Sequence, residues 1–217
     1  MTRAALAGAL SLLPLFTTVP AHAAPTTLPL EQAIASLPVA VESRDGYSRT
    51  AFKHWNSGAN AADGCSTRNE VLLAEAVIRP VVLAGCKLEG GQWHSYYDNR
   101  DITSASGLDI DHMVPLAEAW DSGASQWTAK RREAYANDLG ADASLVAVSA
   151  ASNRSKADQD PTQWLPPHAA GATCQYITEW TATKKRWSLT ADTTEQKVLT
   201  QLAAACPDAT VTYEPAP

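Results

Sequence analysis

Four cysteines constrain the fold of this chain more than any other feature, because the N-terminus predicts an exported protein. Residues 1–23 combine the basic Arg3, an apolar run and the small-x-small sequence Ala21 to Ala23, which is typical of a cleaved secretory signal peptide. Export to an oxidising compartment favours disulfide formation. We therefore expect a secreted, extracellular protein with two disulfides formed by Cys65, Cys86, Cys174 and Cys206.

The spacing of the cysteines favours one pairing. Four cysteines allow three connectivities. Pairing Cys65 with Cys86 and Cys174 with Cys206 closes one local loop in each half of the chain, and we favour it for that reason. A zinc site is the rival interpretation, but the chain has no CxxC or HxxxH spacing.

The rest of the chain predicts one domain. Residues 24–43 are rich in Pro and Ala and read as a linker or propeptide, which leaves 44–217 as the domain. No segment after the signal peptide is apolar for the roughly 20 residues that a membrane helix needs, so we expect no membrane contact. We also expect a monomer. The formal net charge is −6, or −7 without Arg3, and excludes the global basic surface of many nucleic-acid binders. A polyanion would require a local basic cluster and a metal.

Apolar periodicity and capping signals predict an α+β domain with short strands and several helices. Thr67 followed by Glu70 is a capping-box pattern and predicts a helix at 68–78. The turn Glu89-Gly90-Gly91 predicts a hairpin between two strands. Further predicted elements are a strand ending in GLDIDH, a helix at about 128–139, a strand at 144–149, a short helix ended by Pro161, and two helices within 173–206, the second capped by Thr190 or Asp192.

The stretch LDIDHMVPL, residues 108–116, places Asp109, Asp111 and His112 among apolar residues. Burying these polar groups is costly unless something compensates, and a bound cation would compensate. Successive residues of a regular strand point to opposite faces, so Asp111 and His112 can serve one site only where the strand ends. Pro115 cannot donate to a strand ladder and predicts such an ending.

These residues resemble a known family. The DHxxP motif of Asp111, His112 and Pro115, followed by NRSK at Asn153 to Lys156, resembles the HNH, or ββα-metal, endonuclease superfamily. The segments GYSR, AYAND and NRSKxDxDPxxWLPP make the chain most similar to small secreted bacterial non-specific deoxyribonucleases, from roughly Asp45 to Cys206. The resemblance implies that 44–217 is an HNH-type nuclease domain with a ββα-metal core, a small antiparallel sheet, several added helices and stabilising disulfides.

The resemblance also implies a catalytic centre. Asp111 and Asn153 would bind one divalent cation, and His112 would be the general base that deprotonates water. Carboxylate and amide oxygens suit a hard ion, so Mg²⁺ or Mn²⁺ is the expected cofactor. Asp109 would lie behind these ligands because it shares a strand face with Asp111.

Other motif residues receive supporting roles. Ser48 is also expected near the site. The middle asparagine of the family motif is replaced by Ser144, and Asn137 is a candidate substitute for it. Arg49, Arg154 and Lys156 are expected to contact substrate phosphates. Phosphate contacts carry no sequence information, so DNA, and RNA as a further candidate, would be cut with little sequence preference.

A second function class fits part of the pattern. The seven tryptophans could form a stacking surface in a secreted, non-catalytic polysaccharide-binding module. Asp109, Asp111 and Asn153 would then hold a structural Ca²⁺. His112 discriminates the two functions, because a structural calcium site has no use for an imidazole beside its carboxylate.

Overall fold

The computed structural model describes residues 24–167 and 170–217, and the signal peptide predicted at 1–23 lies outside the described residues. The strands are β1 (Thr26–Pro29), β2 (Val81–Leu83), β3 (Lys87–Glu89), β4 (Trp93–Ser95), β5 (Arg100–Ile102), β6 (Leu108–His112), β7 (Leu145–Ser149) and β8 (Thr210–Tyr213). The helices are α1 (Leu30–Ala35), α2 (Thr67–Ala74), α3 (Leu116–Asp121), α4 (Ala129–Ala136), α5 (Ala150–Lys156), α6 (Ala170–Trp187) and α7 (Thr193–Ala203).

The described strands form four antiparallel pairs, β1 with β8, β2 with β3, β4 with β5, and β6 with β7. The predicted α+β class with small antiparallel sheets is therefore confirmed. Disulfides join Cys65 to Cys86 and Cys174 to Cys206, as the local-loop argument favours. No helix within 24–167 and 170–217 is both long enough and apolar enough to cross a membrane.

The pair β6–β7 and helix α5 form one continuous unit. All five residues of β7 are buried, as expected for the uninterrupted apolar run LVAV. Ser149 ends β7 and caps α5, because its Oγ accepts a hydrogen bond from the Ser152 backbone N–H at 3.1 Å. The Ser149 hydroxyl in turn donates to Asp98 at 2.7 Å. These bonds fix the angle at which α5 leaves the sheet.

The segment predicted to be a linker or propeptide is packed into the domain. Strand β1 pairs with β8 near the opposite end of the chain. Helix α1 follows directly, and its Leu30, Ala33 and Ile34 are at most 1% exposed in the main core. A flexible linker makes few such contacts. Residues 26–35 are thus an integral part of the core.

Two local predictions are corrected. Strands β3 and β4 flank the turn Glu89-Gly90-Gly91, but they pair with β2 and β5 rather than with each other. The tight turn of the first hairpin lies instead at Ala84–Cys86, where Gly85 adopts a positive φ of 70°. Helix α2 is capped by Ser66 rather than Thr67 and ends at Ala74. The predicted Asp192 cap of α7 is present, since this side chain accepts from the Glu195 N–H at 2.7 Å.

Candidate active site

The C-terminal end of β6 opens into a cavity of about 280 Å³. Asp111 and His112 both line it, although they are neighbours on a strand. They can do so because β6 ends at His112, and the chain then turns through Pro115 into α3. The cavity lining also includes Arg49, Asn153 and Arg154. The structure therefore brings together five of the residues that the motifs predicted.

Asp111 is held through one carboxylate oxygen. Its Oδ2 accepts hydrogen bonds from the Tyr97 hydroxyl at 2.7 Å and from the Lys156 ammonium at 2.5 Å. Within residues 24–167 and 170–217, no protein group donates a hydrogen bond to Oδ1. Burial raises the pKa of Asp111, and the positive charge of Lys156 opposes that shift. The carboxylate thus lines the cavity with one anchored oxygen and one oxygen to which no described residue donates.

His112 is 5% exposed and lies between two aromatic rings. The Tyr135 ring is stacked at 6.3 Å from its centroid, and the Trp55 ring lies at 5.5 Å. Nε2 lies 3.0 Å from the Ala136 carbonyl oxygen, which can only accept, so Nε2 carries the proton and Nδ1 the lone pair. Burial lowers the pKa of His112 to about 3, so the imidazole is neutral at physiological pH.

Asn153 lies in the middle of α5 and is oriented by Asp109. Its Nδ2 donates to Asp109 Oδ2 at 3.3 Å, which leaves the amide oxygen without this partner. The Arg154 guanidinium lies 3.9 Å from the same carboxylate oxygen and is 72% exposed. Asp109 therefore lies behind Asn153, on the strand face that alternation predicts.

The predicted phosphate contacts separate into two groups. Arg49 and Arg154 line the cavity and have exposed side chains, so phosphate can reach them. Lys156 corrects the prediction, because it is 0% exposed and does not line the cavity. Its Nζ donates to Asp111 and to the carbonyl oxygens of His112 and Met113 at 3.0 and 2.9 Å. A polyanion cannot reach an ammonium that is enclosed in this way.

Two predicted supporting residues lie away from the cavity wall. Ser48 is exposed and shares a 2.7 Å hydrogen bond with Thr50. Asn137 follows Ala136, the partner of His112, but its amide bonds to the 53–56 segment instead. Its Nδ2 donates to the Lys53 carbonyl at 2.8 Å, and its Oδ1 accepts from the Asn56 N–H at 2.9 Å. Asn137 thus braces the segment that carries Trp55.

Three residues around the site lack a predicted role. Tyr97 anchors Asp111, and Trp55 and Tyr135 enclose His112. Trp55 holds a positive φ of 61°, a conformation that is unfavourable for a bulky residue and clusters at functional sites. The AYAND segment contains both Tyr135 and Ala136, so the resemblance pointed to this region without assigning it a role. Tyr97 carries no spacing signal.

A second cavity and a cluster of glutamates are two further candidate sites in the structure. A larger cavity of about 650 Å³ is lined by Val71, Glu75 and Glu179 among others. It contains none of the five predicted residues that line the cavity at the end of β6. Within the described residues, the cluster of three or more acidic, His or Cys ligands close enough to share a metal is Glu42, Glu118 and Glu195. The ammonium of Lys184 already occupies it, with 2.6 Å to Glu195 and 2.9 Å to Glu118.

Comparisons with known proteins place the chain in a family of nuclease domains. Residues 79–202 match the family model described as GmrSD restriction endonucleases, C-terminal domain. An uncharacterized secreted protein of Arthroderma benhamiae is 38% identical over 163 residues, which cover 75% of this chain and 77% of the relative. No solved structure matches. The matched span contains β6, β7, α5 and the cavity residues Asp111, His112, Asn153 and Arg154. The chain therefore belongs to the family of GmrSD restriction endonuclease C-terminal domains.

Proposed function

We propose that this protein is a secreted, metal-dependent endonuclease that hydrolyses phosphodiester bonds of DNA with little sequence preference. The observation that carries the proposal is the convergence of Asp111, His112 and Asn153 on one cavity. They come from the end of β6 and from α5, which is the arrangement expected of a ββα-metal core. Membership of a restriction endonuclease domain family supports the nuclease class.

The cavity fits a hard divalent cation. Asp111 offers Oδ1, to which no residue in the described part of the chain donates, and Asn153 offers an amide oxygen whose companion Nδ2 is bound to Asp109. Two protein oxygens are few for Ca²⁺ but suit Mg²⁺, which retains several waters and binds through one or two carboxylates together with substrate phosphate. Mn²⁺ accepts the same oxygen ligands. When bound, the cation would stabilise negative charge on the phosphate and the leaving oxygen.

His112 is suited to accept a proton from the attacking water. The hydrogen bond of Nε2 to Ala136 fixes the tautomer, so the lone pair is on Nδ1. The rings of Trp55 and Tyr135 restrict rotation of the imidazole. Burial keeps His112 in the neutral form that can accept a proton, but the same burial weakens it as a base, so proton transfer would need negative charge beside the ring, such as that of a bound phosphate. A general base in this position contributes about 10²- to 10⁴-fold in rate.

Substrate binding would rely on two exposed arginines in an acidic protein. Arg49 and Arg154 line the cavity with exposed guanidinium groups, which bind phosphate oxygens through planar paired donors. Contacts with phosphates hold any sequence equally well. None of the seven tryptophans is fully exposed, and Trp93, Trp180 and Trp187 are at most 1% exposed. This burial does not favour the stacking surface that a polysaccharide-binding module requires.

The test is degradation of supercoiled plasmid DNA by the purified, oxidised protein lacking residues 1–23. Reactions contain Mg²⁺ or Mn²⁺, with and without EDTA, and compare the wild type with His112→Ala. His94→Ala is the matched control, because this exposed histidine bonds to Asp101 on the β4–β5 pair. We expect metal-dependent cleavage that falls by about 10²- to 10⁴-fold in His112→Ala and stays unchanged in His94→Ala. Folded wild type that leaves the plasmid intact with every divalent ion would refute the proposal.

A further inference from the structure

Lys156 and Tyr97 form a buried support behind Asp111. Lys156 is the last residue of α5, three residues after Asn153, so the two side chains lie on the same face of the helix. Asn153 reaches the cavity, whereas Lys156 is fully enclosed. Both donors meet the same carboxylate atom, since the Lys156 ammonium and the Tyr97 hydroxyl both bind Oδ2 of Asp111.

The ammonium of Lys156 has a complete set of partners. Its three hydrogens match three acceptors, which are Asp111 Oδ2 and the carbonyl oxygens of His112 and Met113. The aromatic rings of Tyr97, Tyr176 and Trp180 lie 5.7–6.0 Å from Nζ. A single side chain therefore ties the end of α5 to the backbone and the carboxylate at the end of β6.

We infer that Lys156, together with Tyr97, is a positioning residue for the metal ligand. By holding Oδ2 from the buried side, these groups fix the orientation of the carboxylate and present Oδ1 to the divalent cation. The bonds to the carbonyl oxygens also fix the backbone at the point where Asp111 and His112 must share one cavity. The inference rests on the proposed function and assigns to the lysine of the NRSK motif a role other than phosphate binding.

Two other roles for Lys156 make different predictions. A lysine that acts only through its charge repels the metal, so its removal would strengthen metal binding. A lysine that serves only the fold would change stability and leave the metal affinity of the folded protein unchanged. Positioning predicts weaker metal binding, because partners that orient a metal ligand are typically worth 10- to 100-fold in affinity.

The experiment measures Mn²⁺ affinity of the metal-free protein from the electron paramagnetic resonance signal of free Mn²⁺. The variants are Tyr97→Phe and Lys156→Met. Tyr97→Phe removes one hydrogen bond to Oδ2 and no charge, so it tests positioning even if Lys156→Met does not fold. Tyr176→Phe is the matched control, since its buried hydroxyl has no hydrogen-bond partner among the described residues and its ring belongs to the same aromatic group.

We expect the Mn²⁺ dissociation constant to rise about 10-fold in Tyr97→Phe and up to about 100-fold in Lys156→Met. It should change by less than about 2-fold in Tyr176→Phe, where no bond to the ligand is lost.

Unchanged or tighter Mn²⁺ binding by folded Tyr97→Phe, beside a wild type that binds Mn²⁺ and cleaves DNA, would overturn this inference alone. A folded wild type that neither binds Mn²⁺ nor cleaves DNA would instead overturn the proposed function and the inference with it.

Discussion

Two lysines, Lys156 and Lys184, are fully buried, and different sets of partners offset the cost of burying their charge. Each is 0% exposed. Lys156 has one carboxylate partner, Asp111, and its other acceptors are backbone carbonyls. Lys184 bonds to Glu118 and Glu195, with Glu42 at 4.0 Å. Lys156 thus forms a one-to-one ion pair with a single carboxylate, whereas Lys184 is surrounded by more carboxylates than it can neutralise.

The difference shows that a buried charge is not by itself a sign of function. The Lys184 cluster joins α3, α6, α7 and the N-terminal segment, and both carboxylate oxygens of Glu195 are hydrogen-bonded, to Trp180 and to Lys184. Asp111 lines a cavity, and its second carboxylate oxygen receives no hydrogen bond from the residues that the structure describes. We therefore expect changes at the Lys184 cluster to affect stability and changes around Asp111 to affect metal binding and catalysis.

The largest effect on folding is expected for Lys184→Met. It leaves Glu118 and Glu195 buried without their cation, and breaking such a buried pair costs about 3–5 kcal/mol. Urea unfolding followed by tryptophan fluorescence should show this loss. Plasmid cleavage and Mn²⁺ affinity, measured where the variant is folded, should match the wild type.

The double variant Lys184→Met with Glu195→Gln is the control for that experiment. Glutamine keeps an oxygen that can accept from Trp180 and removes one carboxylate that lacks a counter-charge. It should recover part of the lost stability. If folded Lys184→Met instead lost Mn²⁺ affinity as Lys156→Met is expected to, the distinction between the two lysines would be lost.

A smaller effect, confined to the cavity, is expected for Asp109→Ala. The Asp109 carboxylate orients the Asn153 amide and is 36% exposed, so its removal should loosen a metal ligand without a large loss of stability. We expect the Mn²⁺ dissociation constant to rise roughly 10-fold, the lower end of the effect of such partners. Calorimetric titration with Mn²⁺ would measure it. Binding as tight as in the wild type would mean that Asn153 needs no support from Asp109.

The excess of carboxylates at Lys184 predicts a loss of stability at alkaline pH. Burial, as the main cause, raises the pKa of Glu42 to about 8 and that of Glu195 to about 7, from an ordinary 4.5. The folded state therefore binds protons more tightly than the unfolded chain, and this stabilisation is lost as pH rises from 4.5 through 7 and 8.

Thermal unfolding at pH 6 and pH 9 would test whether stability falls as pH rises. Glu42 is partly solvated, so we expect the Glu42→Gln variant to reduce the alkaline fall in Tm by only roughly 2–4 °C, which corresponds to about 1 kcal/mol in a domain of this size. The amide oxygen of glutamine can still accept from the Ser122 hydroxyl, as Glu42 does at 3.2 Å. A wild-type Tm that rises between pH 6 and pH 9 would contradict the assignment.

The sequence predicts which residues line the cavity, but it does not predict that Lys156 and Tyr97 support Asp111 from the buried side. The alternation in LDIDH and the position of Pro115 predict a strand that ends at His112, and local loops predict the disulfides. The spacing places Lys156 one helical turn after Asn153, but it does not show whether the lysine is exposed or buried. The same motif is therefore compatible with an exposed lysine that contacts phosphate and with a buried lysine that pairs with Asp111. Burial depends on Tyr97 and Tyr176, which are distant in the chain.

The smallest effect is expected for Arg154→Gln, the exposed counterpart of the two buried lysines. The Arg154 side chain is 72% exposed, so solvent screens its charge and its loss should not alter folding. Each phosphate contact that is lost reduces the salt dependence of DNA affinity by about one unit of slope in a log–log plot. Binding of a short duplex to the inactive His112→Ala protein at several salt concentrations would measure that slope. Equal slopes for the proteins with and without Arg154 would mean that Arg154 does not contact a phosphate. The phosphate contact in the cavity would then be made by Arg49, because Lys156 is enclosed and cannot reach the DNA.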